Sequence, residues 1–519
     1  MNRRRLLAGS AAASALYVMR CPISLALGEA LQQNTPHGQT AEALREKLMR
    51  DPLRPQFHLL PRANWMNDPC APRFYGGQYH MFFQYNPNAA VWGDMHWNHA
   101  VSPDLIHWKH LPIALAPTAD SFDSFGIFTG SVLPGMDVPT VLYTGVSRSA
   151  DETIRGEGLR EVQCLATSTD PDLRVWKKLD QPVLAGPPSG LKVTGFRDPC
   201  PWKEGDTWYL GVGSGFPRIG GAVLLYRSED GHNWEYLHPL AQGTWNGGNM
   251  TNPVDTGEMW ECPDFFPLGG KHVLLYSAER KVYWEVGTFN KGDLKFHSET
   301  RGLLDHGSYY AMKSMMDARG RRILWGWVEE TRSPEECKTA GWAGSMALPR
   351  VLTLGPDNEL RMDIPAEFRS LLRNSQSLHG AQDSESLATA LNTMPISNRA
   401  GQIAYAFRPG DNTCALQLLN GIGGAPLFSI EYNGTKAKPL VIVGDKMLPL
   451  SPNADGISTM EVWIDGSVVE IFVDSKQALT VRNYQPSSGR ILPKWTGPAA
   501  LNSMTVSEVT PISSDRLTS

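Results

Sequence analysis

Apolar and alternating runs recur along the chain between turn-rich stretches from about residue 53 onward, at residues 78–85, 140–144, 207–212, 272–276 and 322–327. Each is apolar enough, or alternates regularly enough, to be a buried strand. The runs return every roughly 60 residues, which is long for a solenoid repeat and matches one four-stranded propeller blade. A second marker keeps the same spacing. Ser102-Pro103-Asp104-Leu105-Ile106-His107-Trp108, Asp172-Leu173-Arg174-Val175-Trp176 and Ser228-Glu229-Asp230-Gly231-His232-Asn233-Trp234 vary one turn-then-strand signature. Fainter echoes stand at Gly292-Asp293-Leu294-Lys295-Phe296 and Asp357-Asn358-Glu359-Leu360. The markers end at residues 108, 176, 234, 296 and 360, so they count five units and predict a five-bladed β-propeller over residues 53–360.

A polar stretch rich in Ser and Asn, residues 361–400, reads as a linker. Strand-like runs then resume at residues 401–407, 426–432, 460–465 and 468–473, with Asp465-Gly466-Ser467 as a hairpin turn between the last two. Strands without helices over residues 401–515 predict a β-sandwich, which makes the chain all-β: a propeller followed by a C-terminal sandwich. Ahead of the propeller lies a polar lead-in whose Ala41-Glu42-Ala43-Leu44-Arg45-Glu46-Lys47-Leu48 stretch predicts one short helix. Before that, residues 1–28 read as an export signal. Asn2-Arg3-Arg4-Arg5-Leu6-Leu7 fits the twin-arginine pattern, and residues 8–19 are Ala-rich and too short to span a membrane. The expectation is a protein exported by a bacterium to the periplasm or beyond.

Composition narrows the partners. A chain of 519 residues divides into two or three domains. Its net charge is only −5, with both signs mixed throughout, so neither a basic nucleic-acid face nor a polybasic membrane patch is present. The ligand is expected to be uncharged or weakly charged. The 16 Trp, 38 Pro and 49 Gly fit a turn-rich β protein, and some of the indoles suit stacking on sugar rings. Seven Cys are scattered without paired spacing, so neither a zinc module nor a dense disulfide framework is expected. His96, His99, His107 and His110 have the wrong spacing for a compact metal-ligand set and read as structural.

Three acidic segments open units one, three and four: Asn64-Trp65-Met66-Asn67-Asp68-Pro69, Gly195-Phe196-Arg197-Asp198-Pro199 and Met259-Trp260-Glu261-Cys262-Pro263-Asp264. The first strand of every propeller blade lines the central axis, so acids remote in sequence meet there. Two carboxyl groups flanking a scissile bond are what glycoside hydrolysis needs, and a third can hold sugar hydroxyls. Each acid alone reads equally as a turn or ion-pair residue, and Arg197 beside Asp198 suggests a plain ion pair.

Taken in order, these motifs, the run His80-Met81-Phe82-Phe83-Gln84-Tyr85-Asn86-Pro87, and further matches at Trp92-Gly93, Thr129-Gly130-Ser131, Leu324-Trp325-Gly326-Trp327 and Gly341-Trp342-Ala343-Gly344 resemble glycoside hydrolase family 32, the invertases and fructan hydrolases, its plant acid-invertase branch above all. The resemblance covers residues 53–500 and implies a five-bladed propeller with a β-sandwich. It implies Asp68 as nucleophile, Asp198 as transition-state stabiliser and Glu261 as acid/base in a retaining hydrolase that frees fructose from sucrose, inulin or levan. Trp65, Asn67, Gln84, Thr129 and Arg197 fall at positions that hold the fructosyl unit, with Arg197 helping to keep Asp198 charged. Trp92, Phe128 and Trp342 match aromatic walls of the pocket. No metal or cofactor is implied.

Some residues depart from the family pattern. Cys70-Ala71 stand where Asn-Gly usually follows the first Asp-Pro, and Cys200 is also unusual. A Cys70–Cys200 disulfide and separate buried thiols are both open readings. Ser277, with Glu279 close by, aligns with an Asp that in plant relatives accompanies a preference for sucrose, and this departure leans towards fructan exo-hydrolysis. Fructosyl transfer to a sugar acceptor, and a non-catalytic sugar-binding propeller, are the alternative functions.

Overall fold

A computed structural model describes residues 41–154, 157–380, 384–451, 453–487, 489–514 and 516. The signal expected at residues 1–28 lies outside them. Five antiparallel sheets follow one another in chain order. Their innermost strands are Asn64–Tyr75, Gly126–Val132, Phe196–Glu204, Glu261–Leu268 and Tyr309–Met316, and each touches the next around a closed ring. These are the five blades. The apolar runs seen in the sequence are the second strand of every blade, such as Gln78–Asn86 and Thr207–Phe216. Sheets packed on both faces bury those strands, which is why they read as nearly continuous apolar runs.

The recurring Asp turn joins the third strand of each blade to the fourth. In all five copies the residue after the Asp takes a left-handed conformation, with φ 71° at Leu105, 56° at Leu173, 73° at Gly231, 56° at Leu294 and 58° at Asn358. Carboxylate oxygens hold the turn by accepting backbone N–H groups, as Asp104 does from Ile106 and His107. In the first two copies a Trp closes it, Trp108 donating to the Leu105 carbonyl and Trp176 to that of Leu173.

Chain ends meet at the ring's seam. Trp342–Ala343 adds a parallel strand to blade one beside Asn64 and Trp65, while Ser345–Met346 pairs with Trp327 and Val328 of blade five. A propeller left open there would expose strand edges, so this short segment fastens the ring.

The sandwich packs two six-stranded layers around Ile403, Leu416, Ile430, Val462, Ile471 and Met504. One layer continues from blade four, through Asp305 paired with Ala478. The stretch expected as a linker instead completes the last strand of blade five, Leu360–Asp363, and then joins this domain. Leu372–His379 is an edge strand on Ala500–Val509, and Ser384–Leu391 is a helix. The stretch's polarity misleads because seven of the eight strand residues are partly or fully exposed, on both faces. The helix expected in the lead-in is present as Ala41–Arg50.

Propeller and sandwich are joined by a knot of buried charge. Asp465 accepts N–H bonds from Gln56, Phe57 and His58, and the His58 ring at 2.7 Å. The other His58 nitrogen lies 3.0 Å from Glu470, which also accepts from Leu348 and Arg350. Arg350 continues to Asp305 and Thr480. Burial opposes a charge on His58, but hydrogen bonds to Asp465 and Glu470 outweigh it and raise the imidazole to about 9. Its folded-state pKa is above the unfolded 6.5, so the stabilisation is complete below 6.5 and is lost as pH rises through about 9. That amounts to something on the order of 3 kcal/mol. The melting temperature of the wild type is therefore expected to fall between pH 6.5 and 9 more steeply than that of His58→Gln. Parallel slopes in differential scanning fluorimetry would contradict this.

Candidate active site

All five inner strands break their ladder at the same end of the ring. Asn67-Asp68 face only Gln84 across the sheet, Asp198-Pro199 only Val212, Cys262-Pro263 only Tyr276, and Ala311-Met312 only Gly326. Blade two has its equivalent extra residue at Thr129, between Phe128 and Gly130. These are β-bulges, which remove a residue from regular pairing and re-aim its side chain. Three of the bulged residues have positive φ: 63° at Asp198, 50° at Cys262 and 54° at Ala311. Such a conformation is costly for side-chain-bearing residues and persists only where the surroundings hold it.

The holding is visible. Each of these three residues has its N–H bonded by a side chain of the preceding blade. Asp198 donates to Thr144 Oγ1 at 2.8 Å, Cys262 to Asp198 Oδ2 at 2.8 Å, and Ala311 to Ser277 Oγ at 3.1 Å. The bulges thus lock one blade to the next.

Three carboxyl groups converge as a result. Asp68 accepts from Asn67 Nδ2 at 2.9 Å and Thr129 Oγ1 at 2.6 Å, with the Cys262 thiol at 3.4 Å. Gln84 donates to Thr129 at 2.6 Å, and Trp65 Nε1 to Asn67 at 2.8 Å, so the donors are themselves held. The same Cys262 sulfur lies 3.5 Å from Asp198. Burial, and then the charges of Asp198 and Asp68, push that thiol well above its usual range, so it stays protonated and donates. Burial also lifts Asp198 to about 7; Arg197 opposes the rise, and the negative charge of Glu261 and Asp68 adds to it.

Glu261 accepts from Arg197 through Nη2 at 2.8 Å and Nε at 3.3 Å, and from the Tyr310 hydroxyl at 2.7 Å. The remaining edge of Arg197 goes to buried Glu161 at 2.8 Å. Arg197 is therefore not the hydrogen-bonded partner of Asp198 that their adjacency suggests. Successive strand residues point to opposite sides, and the bulge does not bring the two together.

The pocket above the carboxyl groups encloses about 710 Å³ with its open mouth included. Asn67, Asp68, Gln84, Arg197, Asp198 and Glu261 form its floor, while Trp92, Phe128, Ile154, Glu157, Leu159, Asn252 and Pro253 form its walls. Trp92 and Phe128 meet edge to face at 5.9 Å. Of the residues singled out in the sequence, Trp65 and Thr129 stand behind the floor as supports. Trp342 is elsewhere: it is fully buried in the seam, donates to Asp51 and lies against Arg332, so it forms no pocket wall. Ser277 is also buried, with its hydroxyl between Met312 and the Ala311 N–H, too deep to select a substrate. Glu161, Tyr310, Ile154, Glu157 and Asn252 escaped the sequence reading. Tyr310 alone had a usable signal, since it stands second in the inner strand of unit five.

The histidines are dispersed. His99 meets His80 at 3.0 Å, His110 meets the Leu60 carbonyl, His107 meets Asp104, and His96 meets the Asp94 carbonyl. Among the described residues no cluster fit to hold a metal ion is found.

Comparison with known proteins gives consistent matches. Residues 58–363 match the model of the glycosyl hydrolases family 32 N-terminal domain. A sucrose-6-phosphate hydrolase of Escherichia coli is 35% identical over 457 residues, covering 83% of this chain and 89% of that protein. Among solved structures, a β-fructofuranosidase of Bombyx mori superposes with a TM-score of 0.74 at 27% identity, covering 91% of this chain and 97% of its own. Fructan 1-exohydrolase IIa of Cichorium intybus gives 0.71 at 25% identity, covering 89% and 98%.

The Cys70–Cys200 disulfide is absent, and all six described cysteines are free and buried. Cys70 faces the Asp68 carbonyl and Cys200 faces Asp264. Thiol titration of protein lacking residues 1–28 should therefore yield six reactive groups in denaturant and almost none in the native state. A denatured count of four would show that a disulfide had formed.

Proposed function

The chain belongs to glycoside hydrolase family 32, and on that premise we propose that Asp68 attacks the anomeric carbon of a fructosyl unit while Glu261 protonates the departing oxygen. The protein is a glycosidase that releases fructose from sucrose or β-fructans. What carries the assignment of roles is the convergence of two buried carboxyl groups, Asp68 and Glu261, on one pocket.

In the first step an Asp68 oxygen bonds to fructose C2 as the bond from C2 to the glycosidic oxygen breaks. The proton of Glu261 passes to that oxygen, and the glucose or shortened fructan leaves as an alcohol. Glu261, now a carboxylate, takes a proton from water as the water oxygen attacks C2. The ester to Asp68 breaks, fructose departs, and Glu261 is protonated again. Two displacements at one carbon retain its configuration. Asp198 accepts fructose hydroxyls, and those donors favour its charged form when sugar is bound.

A neutral sugar fits the pocket better than a phosphorylated one. Among the described lining residues Arg197 is the single cation, and Glu161 and Glu261 already occupy it. Asp68, Asp198, Glu157 and Glu261 surround the same space with negative charge potential. We also propose export by the twin-arginine route, on the strength of Asn2-Arg3-Arg4-Arg5-Leu6-Leu7.

Release of reducing sugar from equal amounts of sucrose, sucrose 6-phosphate, inulin and levan tests the substrate reading. Fructose from the neutral sugars, at least about 10-fold slower turnover of the phosphate, and loss of about 1,000-fold in Glu261→Gln are expected. Inert folded protein would leave a sugar-binding propeller, and accumulation of longer sugars would indicate fructosyl transfer. For export, replacing Arg3 and Arg4 together by Lys should retain the protein in the cytoplasm; unchanged fractionation would contradict the route.

A further inference from the structure

Glu161 stands outside the chemistry just described. It lies on Leu159–Thr167, the third strand of blade two, is 0% exposed, and does not line the pocket. Nevertheless its bonds lead to the acid/base. Oε1 takes Arg197 Nη1 at 2.8 Å, while Oε2 takes the Phe196 N–H at 2.6 Å and the Thr153 hydroxyl at 3.3 Å. One carboxylate thus grips both the side chain of Arg197 and the backbone just before it. Arg197 then presents its Nε–Nη2 edge to Glu261.

We propose that Glu161 is a positioning residue for Glu261: it balances the charge of Arg197 and fixes its orientation, so that the guanidinium aligns Glu261 without stripping it of its proton. This rests on the reading of Glu261 as general acid. A guanidinium against a carboxyl group favours the carboxylate, which is the wrong form for a group that must donate. Sharing Arg197 with a second, fully buried carboxylate cancels most of that pull. Further groups near Glu261 are the Tyr310 hydroxyl from blade five, Asp198 from blade three and the neighbouring Cys262 thiol, with Asp68 of blade one lining the same pocket. Buried Lys313 beneath them acts on Asp198 and Cys262. None of these cancels Arg197 by direct bonding; Glu161 does. A reciprocal bond from the Glu161 N–H to Thr153 at 2.8 Å further ties the pocket wall at Ile154 to the same carboxylate.

The test is Glu161→Gln, close in shape and without the charge, assayed in the full-length enzyme on sucrose and on 4-nitrophenyl β-D-fructofuranoside. Sucrose needs its leaving oxygen protonated; the nitrophenolate leaves without that help. For sucrose, the basic limb of the kcat/KM profile should move down by about one pH unit, the effect of one unbalanced charge at this range, with about a 10-fold loss at neutral pH. Nitrophenyl turnover should stay within about three-fold, and Glu161→Asp, which keeps the charge, should hold the limb in place. An unmoved limb in Glu161→Gln, or equal loss on both substrates, overturns the proposal. If the Gln variant fails to fold, a basic limb displaced in Glu161→Asp overturns it instead. Glu261→Gln is run beside them. Should it retain full sucrose turnover, the acid/base reading itself falls; should it lose only sucrose while Glu161→Gln behaves as wild type, only the role of Glu161 falls.

Discussion

A charge removed from water has to be answered by donors or by an opposite charge, and this molecule meets that requirement in two different ways. At the junction of propeller and sandwich, every carboxylate of the knot is crowded with donors. Asp465 takes three backbone N–H groups and a His58 nitrogen, and Asp305 takes Thr480 and Arg350. On the propeller axis carboxyl groups outnumber the cations beside them, with Asp68, Asp198, Glu261 and Glu161 against Arg197 and Lys313. Arg197 is divided between two carboxylates, and burial lifts Asp198 to about 7, with the negative charge of Glu261 and Asp68 adding to the rise that Arg197 opposes. The saturated cluster is a fastening. The acid-rich one gathers carboxyl groups around a single pocket, which is what a glycosidase requires.

That excess of acid depends on the five bulges. A regular propeller would direct alternate side chains of each inner strand towards the axis and leave the ladder intact. Here one residue per blade leaves the ladder, and in blades three to five its freed N–H is captured by the blade before. The strain at Asp198, Cys262 and Ala311 is thereby converted into cross-blade bonding. Because Asp198 is both a captor and a bulged residue, its carboxylate is placed by two blades at once. Small displacements of catalytic groups are expensive to rate, and this arrangement leaves them little room.

The blades were legible because burial on both faces made their second strands apolar, and because one turn chemistry recurs five times. Asp68, Asp198 and Glu261 were legible through their ordered motifs. What escaped depended on three-dimensional neighbours. Glu161 looks like an ordinary polar position in Leu159-Arg160-Glu161-Val162, and nothing local says that its side chain meets Arg197. The adjacency of Arg197 and Asp198 pointed to a hydrogen-bonded pair, whereas Arg197 acts on Asp198 through its charge and gives its hydrogen bonds to Glu161 and Glu261. Trp342 carries a family-like motif yet serves the seam, and Leu372–His379 is polar because an edge strand exposed on both faces has no apolar side to show.

The division between floor and rim bears on where substrate choice resides. Ser277 cannot exercise it, since its hydroxyl is committed to the Ala311 bulge beneath the floor. A charged residue there would have to displace a bond on which the position of blade five depends. The walls are less constrained. Asn252 and Pro253 reach the pocket from an irregular segment that Glu279 braces by donating its N–H to the Val254 carbonyl, while its carboxylate accepts from Asn246 and Tyr283. Ile154 and Glu157 line the pocket just ahead of Leu159, where the third strand of blade two begins, and Thr153 ties this wall back to Glu161. Change in these two segments alters what lies beyond the fructosyl unit while the carboxyl groups stay where the bulges put them. A single floor can then serve different leaving groups, because the bond that breaks is always the same and only its far side differs.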